Sequence, residues 1–148
     1  MSSNELNVLV VDDEPDLVEI MELSLETEGI TIYKAFDGDE AWEILNAYHV
    51  DVVVSDIRMP NMNGVDLFKK VLSSESISPK FLLASGYSDR SPKYLYDLGV
   101  DGFLSKPFDM EHLLNEVKDA VLPLEQRWSR LPNTTDLSVT CNFNTLSD

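Results

Sequence analysis

A chain of 148 residues, 43% of them hydrophobic, is long enough for one ordinary domain with a real core and too short for two of typical size. Its formal charge of −16, from 27 acidic and 11 basic residues, argues against non-specific attachment to nucleic acid or to an anionic membrane surface and favours bound cations or a basic partner. Cys141 as the single cysteine excludes an intramolecular disulfide, no apolar run approaches the roughly 18 residues of a membrane span, and Met1 to Glu5 lacks the features of a signal peptide, so a cytoplasmic protein is expected.

In chain order, strand-like runs alternate with helix-like segments. Leu6 to Val11 reads as a strand and Pro15 to Glu28 as a helix, with Pro15 suited to a first turn and Gly29 to the position just past the end. Ile30 to Ala35 is rich in β-formers, and Gly38 to Tyr48 carries Ala41, Trp42, Ile44 and Leu45 at helical spacing. Val50 to Ser55, nearly continuous in valine, fits a strand covered on both faces. A loop with Pro60, Asn61, Asn63 and Gly64 leads to an apolar-periodic helix near Val65 to Leu72, and Pro79 introduces Lys80 to Ala84 as a strand. Ser91-Pro92 opens a short helix that stops at Gly99, and Gly102 to Ser105 is the last strand. The final helix, Asp109 to Val121, is capped by Asp109 and sets Met110, Leu113, Leu114, Val117 and Val121 on one stripe. Acidic residues such as Glu19, Glu22, Glu26, Glu28, Asp39, Glu40 and Glu43 read as solvated helix faces. Five strand-helix repeats imply a parallel α/β sheet, and five are too few for an eight-fold barrel, so an open doubly wound sheet is predicted. Residues 1–122 form that domain; 123–148 lack clear periodicity and read as a C-terminal extension or linker with no recognisable output domain.

Four of these runs end in polar residues of distinct kinds. Asp12 and Asp13 follow the first, Asp56 follows Val50 to Ser55, Ser85 follows Phe81 to Ala84, and Lys106-Pro107 follow the last. Parallel strands bring their carboxyl ends to one edge, where open α/β folds place ligands. Carboxylates, a hydroxyl and an ammonium at that edge suit a divalent cation and a phosphoryl group. Asp56 is the candidate nucleophile, because phosphoryl transfer needs an in-line nucleophile, a shared cation and fixed donors for the developing charge. Three aspartates crowded within about 4 Å would repel by roughly 4 kcal/mol per pair at an effective dielectric of about 20, which a cation offsets. Magnesium is favoured over zinc, since all the donors are oxygen.

Val11-Asp12-Asp13-Glu14-Pro15, Asp56-Ile57-Arg58-Met59-Pro60-Asn61-Met62-Asn63-Gly64, Ser85 and Lys106-Pro107-Phe108 together resemble the motifs of the receiver domain of two-component response regulators, over about Leu6 to Val121. The resemblance implies a flavodoxin-like sheet in strand order 2-1-3-4-5. It also implies a phosphoprotein of a two-component phosphorelay, in which Asp56 accepts a phosphoryl group from a histidine kinase or phosphotransfer protein and later loses it to water. In that reading Asp13 and Asp56 ligate magnesium directly, Asp12 does so largely through water, and the Arg58 main-chain carbonyl adds an oxygen. Lys106 pairs with a phosphoryl oxygen, Ser85 donates to another, and Phe103 is the switch aromatic on the last strand. The family also implies a cis bond before Pro107, and a downstream protein partner on the face built from the fourth helix, fifth strand and fifth helix. Direct nucleic-acid binding and membrane insertion are not expected, and a homodimer is left open. Turnover is not the product of such a domain, so it is not read as an enzyme beyond self-phosphorylation and autodephosphorylation at Asp56.

Plainer readings stand beside these. Asp12 and Asp13 could cap the helix that follows, Ser85 alone could be a turn residue, and Arg58 and Tyr87 could be surface residues rather than tuners of phosphate lifetime. His49 and His112 lack a paired ligand at useful spacing. Three alternatives compete: a receiver fold kept only for docking, a receiver fragment of a longer regulator or hybrid kinase, and a magnesium-dependent phosphatase. The last usually needs a second acid two residues after the nucleophile, where Arg58 stands.

Overall fold

The computed structural model describes residues 6–86 and 92–122, in which five strands alternate with five helices: β1 (Asn7–Val11), α1 (Pro15–Glu26), β2 (Thr31–Ala35), α2 (Gly38–Ala47), β3 (Val52–Asp56), α3 (Gly64–Leu72), β4 (Lys80–Ser85), α4 (Pro92–Leu98), β5 (Gly102–Ser105) and α5 (Met110–Ala120). The strands form one parallel sheet in the order β2-β1-β3-β4-β5, the flavodoxin-like arrangement.

Why the strands read as unbroken apolar runs follows from the period-2 alternation of a strand whose two faces are both covered. Leu9, Val11, Val53, Phe81 and Leu83 point to one face, under Ala41 and Leu45 of α2, Leu67 and Phe68 of α3, and Leu95 of α4. Val8, Val10, Val52, Val54, Leu82 and Leu104 point to the other, under Val18, Met21 and Leu25 of α1 and Leu113 and Val117 of α5. Each fully buried Leu or Phe stabilises the fold by about 1.5–3 kcal/mol, so the sheet and its two helical layers are a single cooperative core.

The element ends differ from the sequence reading in ways that matter for the site. Asp56 is the last residue of β3, paired with Ala84, and Ser85 is the last of β4, paired with Ser105. Both lie inside the ladder rather than beyond it. Helix α1 stops at Glu26, and Gly29 takes the positive φ of 82° that turns the chain toward β2. The stripe expected on the last helix breaks at its end: Val121 is the C-cap and is 42% exposed, while Asp119 and Ala120 are buried. The helix ends at Ala120, so the 3.6-residue period no longer decides where Val121 points. Glu19, Glu26, Glu28, Asp39, Glu40 and Glu43 are solvated as expected, and Glu22, partly covered, bonds Lys34 at 3.1 Å. The readings on Tyr87, the Ser91 cap, Cys141 and the extension 123–148 lie outside the described residues.

Candidate functional site

Parallel register brings four strand ends to one edge. Val11 pairs with Ser55, Asp56 with Ala84, and Ser85 with Ser105. One residue further on, the Asp12 N–H donates to the Ala35 carbonyl at 3.2 Å and the Lys106 N–H donates to the Ser85 carbonyl at 2.8 Å. Asp12 and Lys106 are thus fixed through their backbones as well as their side chains. The Lys106–Pro107 peptide is cis.

The charged side chains meet there. Asp12 is buried, its Oδ1 accepts the Glu14 N–H at 3.0 Å, and its Oδ2 accepts from Lys106 Nζ at 2.9 Å. The helix-entry role and the site role therefore fall on the two oxygens of one carboxylate. Lys106 Nζ also stands 3.3 Å from Asp56 Oδ1. Asp13 is exposed, and one carboxylate oxygen from each of Asp12, Asp13 and Asp56 lies within 4.8 Å of the others.

Burial first and the Asp12 charge second push the Asp56 carboxyl from its usual 3.8 up to about 6, against the pull of Lys106. Burial alone would lower Lys106, but the hydrogen bond and charge of Asp12, with those of Asp56, outweigh it and raise the ammonium above its ordinary value. One ammonium thus faces a like-charge cluster that it offsets only in part. An all-oxygen donor set with excess negative charge fits a hard divalent cation such as magnesium.

The other residues named from sequence take distinct places. Ser85 is fully buried, and its Oγ donates to the neighbouring Gly86 carbonyl at a long 3.2 Å. The Arg58 side chain is exposed in the loop that leaves Asp56. Phe103 sits on β5 opposite Leu83, half-buried against the α2–α3–α4 side of the core. His49 and His112 are surface residues, paired with Asp51 at 2.9 Å and Glu116 at 3.6 Å.

Gly64 is a contributor that the sequence reading left without a role. A Cβ there would run into the Asp56 carbonyl oxygen, and the Gly64 N–H donates to the Ile57 carbonyl at 2.8 Å. The loop from Asp56 to α3 folds back onto the backbone of Asp56 itself, and only a residue without a side chain allows it. The signal was a glycine at the first position of a helix already capped by Asn63, whose side chain accepts the Asp66 N–H at 2.8 Å.

Fold and site together define a flavodoxin-like α/β domain with an acidic, lysine-bridged pocket at its carboxyl edge. The family model described as "Response regulator receiver domain" matches residues 8–118, and the chain belongs to this family. It is 37% identical over 102 residues to the response regulator GtcR of Aneurinibacillus migulanus, an alignment that covers 69% of this chain and 42% of that protein. The chain spans less than half the length of the curated relatives it matches. Among solved structures it resembles the receiver domain of Francisella response regulator 1452, with 30% identity, a TM-score of 0.71 and coverage of 78% of this chain and 95% of that one. It also resembles the Thermotoga maritima response regulator TrrA in complex with Mg(2+)-BeF, with 29% identity, a TM-score of 0.70 and coverage of 78% and 99%.

Proposed function

We propose that this receiver domain is a phospho-accepting switch in which Asp56 takes a phosphoryl group from a phosphohistidine donor with magnesium. The observation that carries it is the cluster itself: three aspartates with oxygens within 4.8 Å of one another, two of which, Asp12 and Asp56, a single Lys106 Nζ bridges at 2.9 and 3.3 Å. Crowding of that kind is costly for packing and useful for handling a phosphoryl group and its counter-ion. Solved TrrA carries Mg(2+)-BeF, which supports the same cation here.

Asp12, Asp13, Asp56 and the Arg58 carbonyl would hold the cation, which when bound neutralises the carboxylates and the oxygens of the incoming phosphoryl group. A carboxylate oxygen of Asp56 forms the new O–P bond as the P–N bond to the donor imidazole breaks. Lys106 exchanges part of its bond to Asp56 for a phosphoryl oxygen, acting as a point charge. Among the described residues the Ser85 hydroxyl has a long bond to Gly86 to give up, so it turns to a second phosphoryl oxygen and draws its loop inward. Water later attacks the phosphorus, the O–P bond breaks, and inorganic phosphate leaves Asp56 as a carboxylate. Phe103, half-buried and lacking a hydroxyl, completes the change by burial alone and alters the surface of α4, β5 and α5 for a downstream protein. The domain works by binding rather than by turnover, in the cytoplasm.

The test is intact mass after incubation with magnesium and a small phosphodonor. One base-labile phosphoryl adduct is expected, dependent on magnesium and absent from Asp56→Asn. An unmodified wild-type chain, or an adduct that persists in Asp56→Asn, overturns the proposal.

A further inference from the structure

Ala35, the last residue of β2, accepts the Asp12 N–H at 3.2 Å, and the chain then turns through Phe36 and Asp37 into α2. The turn is fixed at both ends. Asp37 Oδ1 accepts the Glu40 N–H at 2.8 Å as the helix cap, and Glu40 Oε1 accepts the Phe36 N–H at 2.6 Å. One corner of the chain is thereby tied to the backbone of Asp12.

The same corner meets the loop that leaves Asp56. Asp37 Oδ2, the oxygen that the cap does not use, accepts from Asn61 Nδ2 at 3.3 Å. Gly38, the next residue, is buried, and a Cβ there would run into the Met62 carbonyl oxygen and stand 2.7 Å from the Met62 Cβ. Asn61 holds a φ of 68°, a left-handed conformation that asparagine adopts more readily than most residues. The span 57–63, which includes the Arg58 carbonyl, is therefore held twice: at its far end by Gly64 against the Asp56 backbone, and in its middle by the start of α2.

We propose that the β2–α2 corner, through Asp37 and Gly38, is a positioning element for the cation site. It grips Asp12 on one side and the 57–63 loop on the other, and so sets how the Arg58 carbonyl stands relative to the aspartates. Asp37 lies outside the cluster of carboxylates that could share an ion, and it acts through Asn61 and the loop. Partners that stand behind metal ligands commonly change affinity by about 10–100-fold; an exposed bond at 3.3 Å is worth less, about threefold. The inference rests on the magnesium site proposed above.

The test is titration of the full chain with magnesium by isothermal titration calorimetry at pH 8. Asp37→Ser keeps a capping oxygen and loses the one that meets Asn61, while Asn61→Gly keeps the left-handed backbone and loses the amide without altering charge. Each is expected to weaken magnesium binding about threefold, and the double variant about threefold as well, because both changes remove one contact. In metal-free buffer the Gly64 amide, bonded to Ile57, should exchange faster with solvent in all three variants, while the urea midpoint of Asn61→Gly stays at the parent value. Parent-like magnesium affinity in both single variants, or unchanged Gly64 exchange, overturns the inference and leaves the phosphoryl reading standing. A loss of about ninefold in the double variant also overturns it, since the two residues then act apart. A parent chain that binds no magnesium overturns both the inference and the magnesium site on which it rests.

Discussion

At the carboxyl edge of the sheet, Asp12 and Asp56 share one ammonium with Asp13 beside them, and burial and mutual repulsion push Asp56 up to about 6. At the amino edge the aspartates are spaced apart and each meets a backbone donor. Asp51 Oδ2 accepts the Asn7 N–H at 2.9 Å, and Asp101 Oδ2 accepts the Phe81 N–H at 2.9 Å. The same residue type closes strand starts at one edge and crowds strand ends at the other. What separates an aspartate that closes a strand from a crowded one here is the number of carboxylates per donor, and that ratio follows from register rather than from residue identity.

The comparison is broken most severely by filling the close approach behind Asp56. Gly64→Ala places a methyl group against the Asp56 carbonyl and should destabilise the chain by about 3 kcal/mol or more, read by urea unfolding, because backbone has to move. No loss, or the gain of up to about 1 kcal/mol that Gly→Ala brings in an ordinary exposed helix, would show that the loop is not braced there.

Asp56→Asn should act in the opposite sense. Folding favours the protonated carboxyl, so its contribution is complete below about pH 4 and is lost as pH rises through about 6. In metal-free buffer the variant should therefore gain up to about 3 kcal/mol over the parent at pH 8 and almost nothing at pH 4. Equal stability of the two chains across that range would remove the claim of crowding. Next in size, Lys106→Met leaves the buried Asp12 charge without its ammonium and should cost about 2 kcal/mol at pH 8, less than a fully buried pair would because Lys106 is partly exposed. Millimolar magnesium should restore part of that loss in thermal unfolding. The smallest effect belongs to the amino edge: Asp51→Asn should destabilise by about 1 kcal/mol, the size of a weakened hydrogen bond to Asn7. Its sign opposes that of Asp56→Asn, and two changes of like sign would erase the distinction between the edges.

Residues that hold the site were legible because each closes an apolar run, and a parallel sheet turns run ends into neighbours. Asp12, Asp13, Asp56 and Lys106 converge for that reason. Gly64 was not legible as a site residue, because what it avoids is the backbone of Asp56 eight positions earlier, a contact that exists only once the loop is folded. The direction of Ser85 Oγ, toward Gly86, is a rotamer choice that no spacing encodes. Val121 was misplaced on the apolar stripe because periodicity describes a helix interior and says nothing about its cap. The contact of Asp37 with Asn61 joins two turns 24 positions apart, so it too lay outside what periodicity could read.

The central claim is that one carboxylate among three is the nucleophile, and peptide mapping of the phosphorylated chain by mass spectrometry under acidic conditions tests it most directly. The account predicts the phosphoryl group on the peptide that contains Asp56 and none on the peptide that contains Asp12 and Asp13. A phosphoryl group on Asp12, on Asp13 or on either histidine would contradict it.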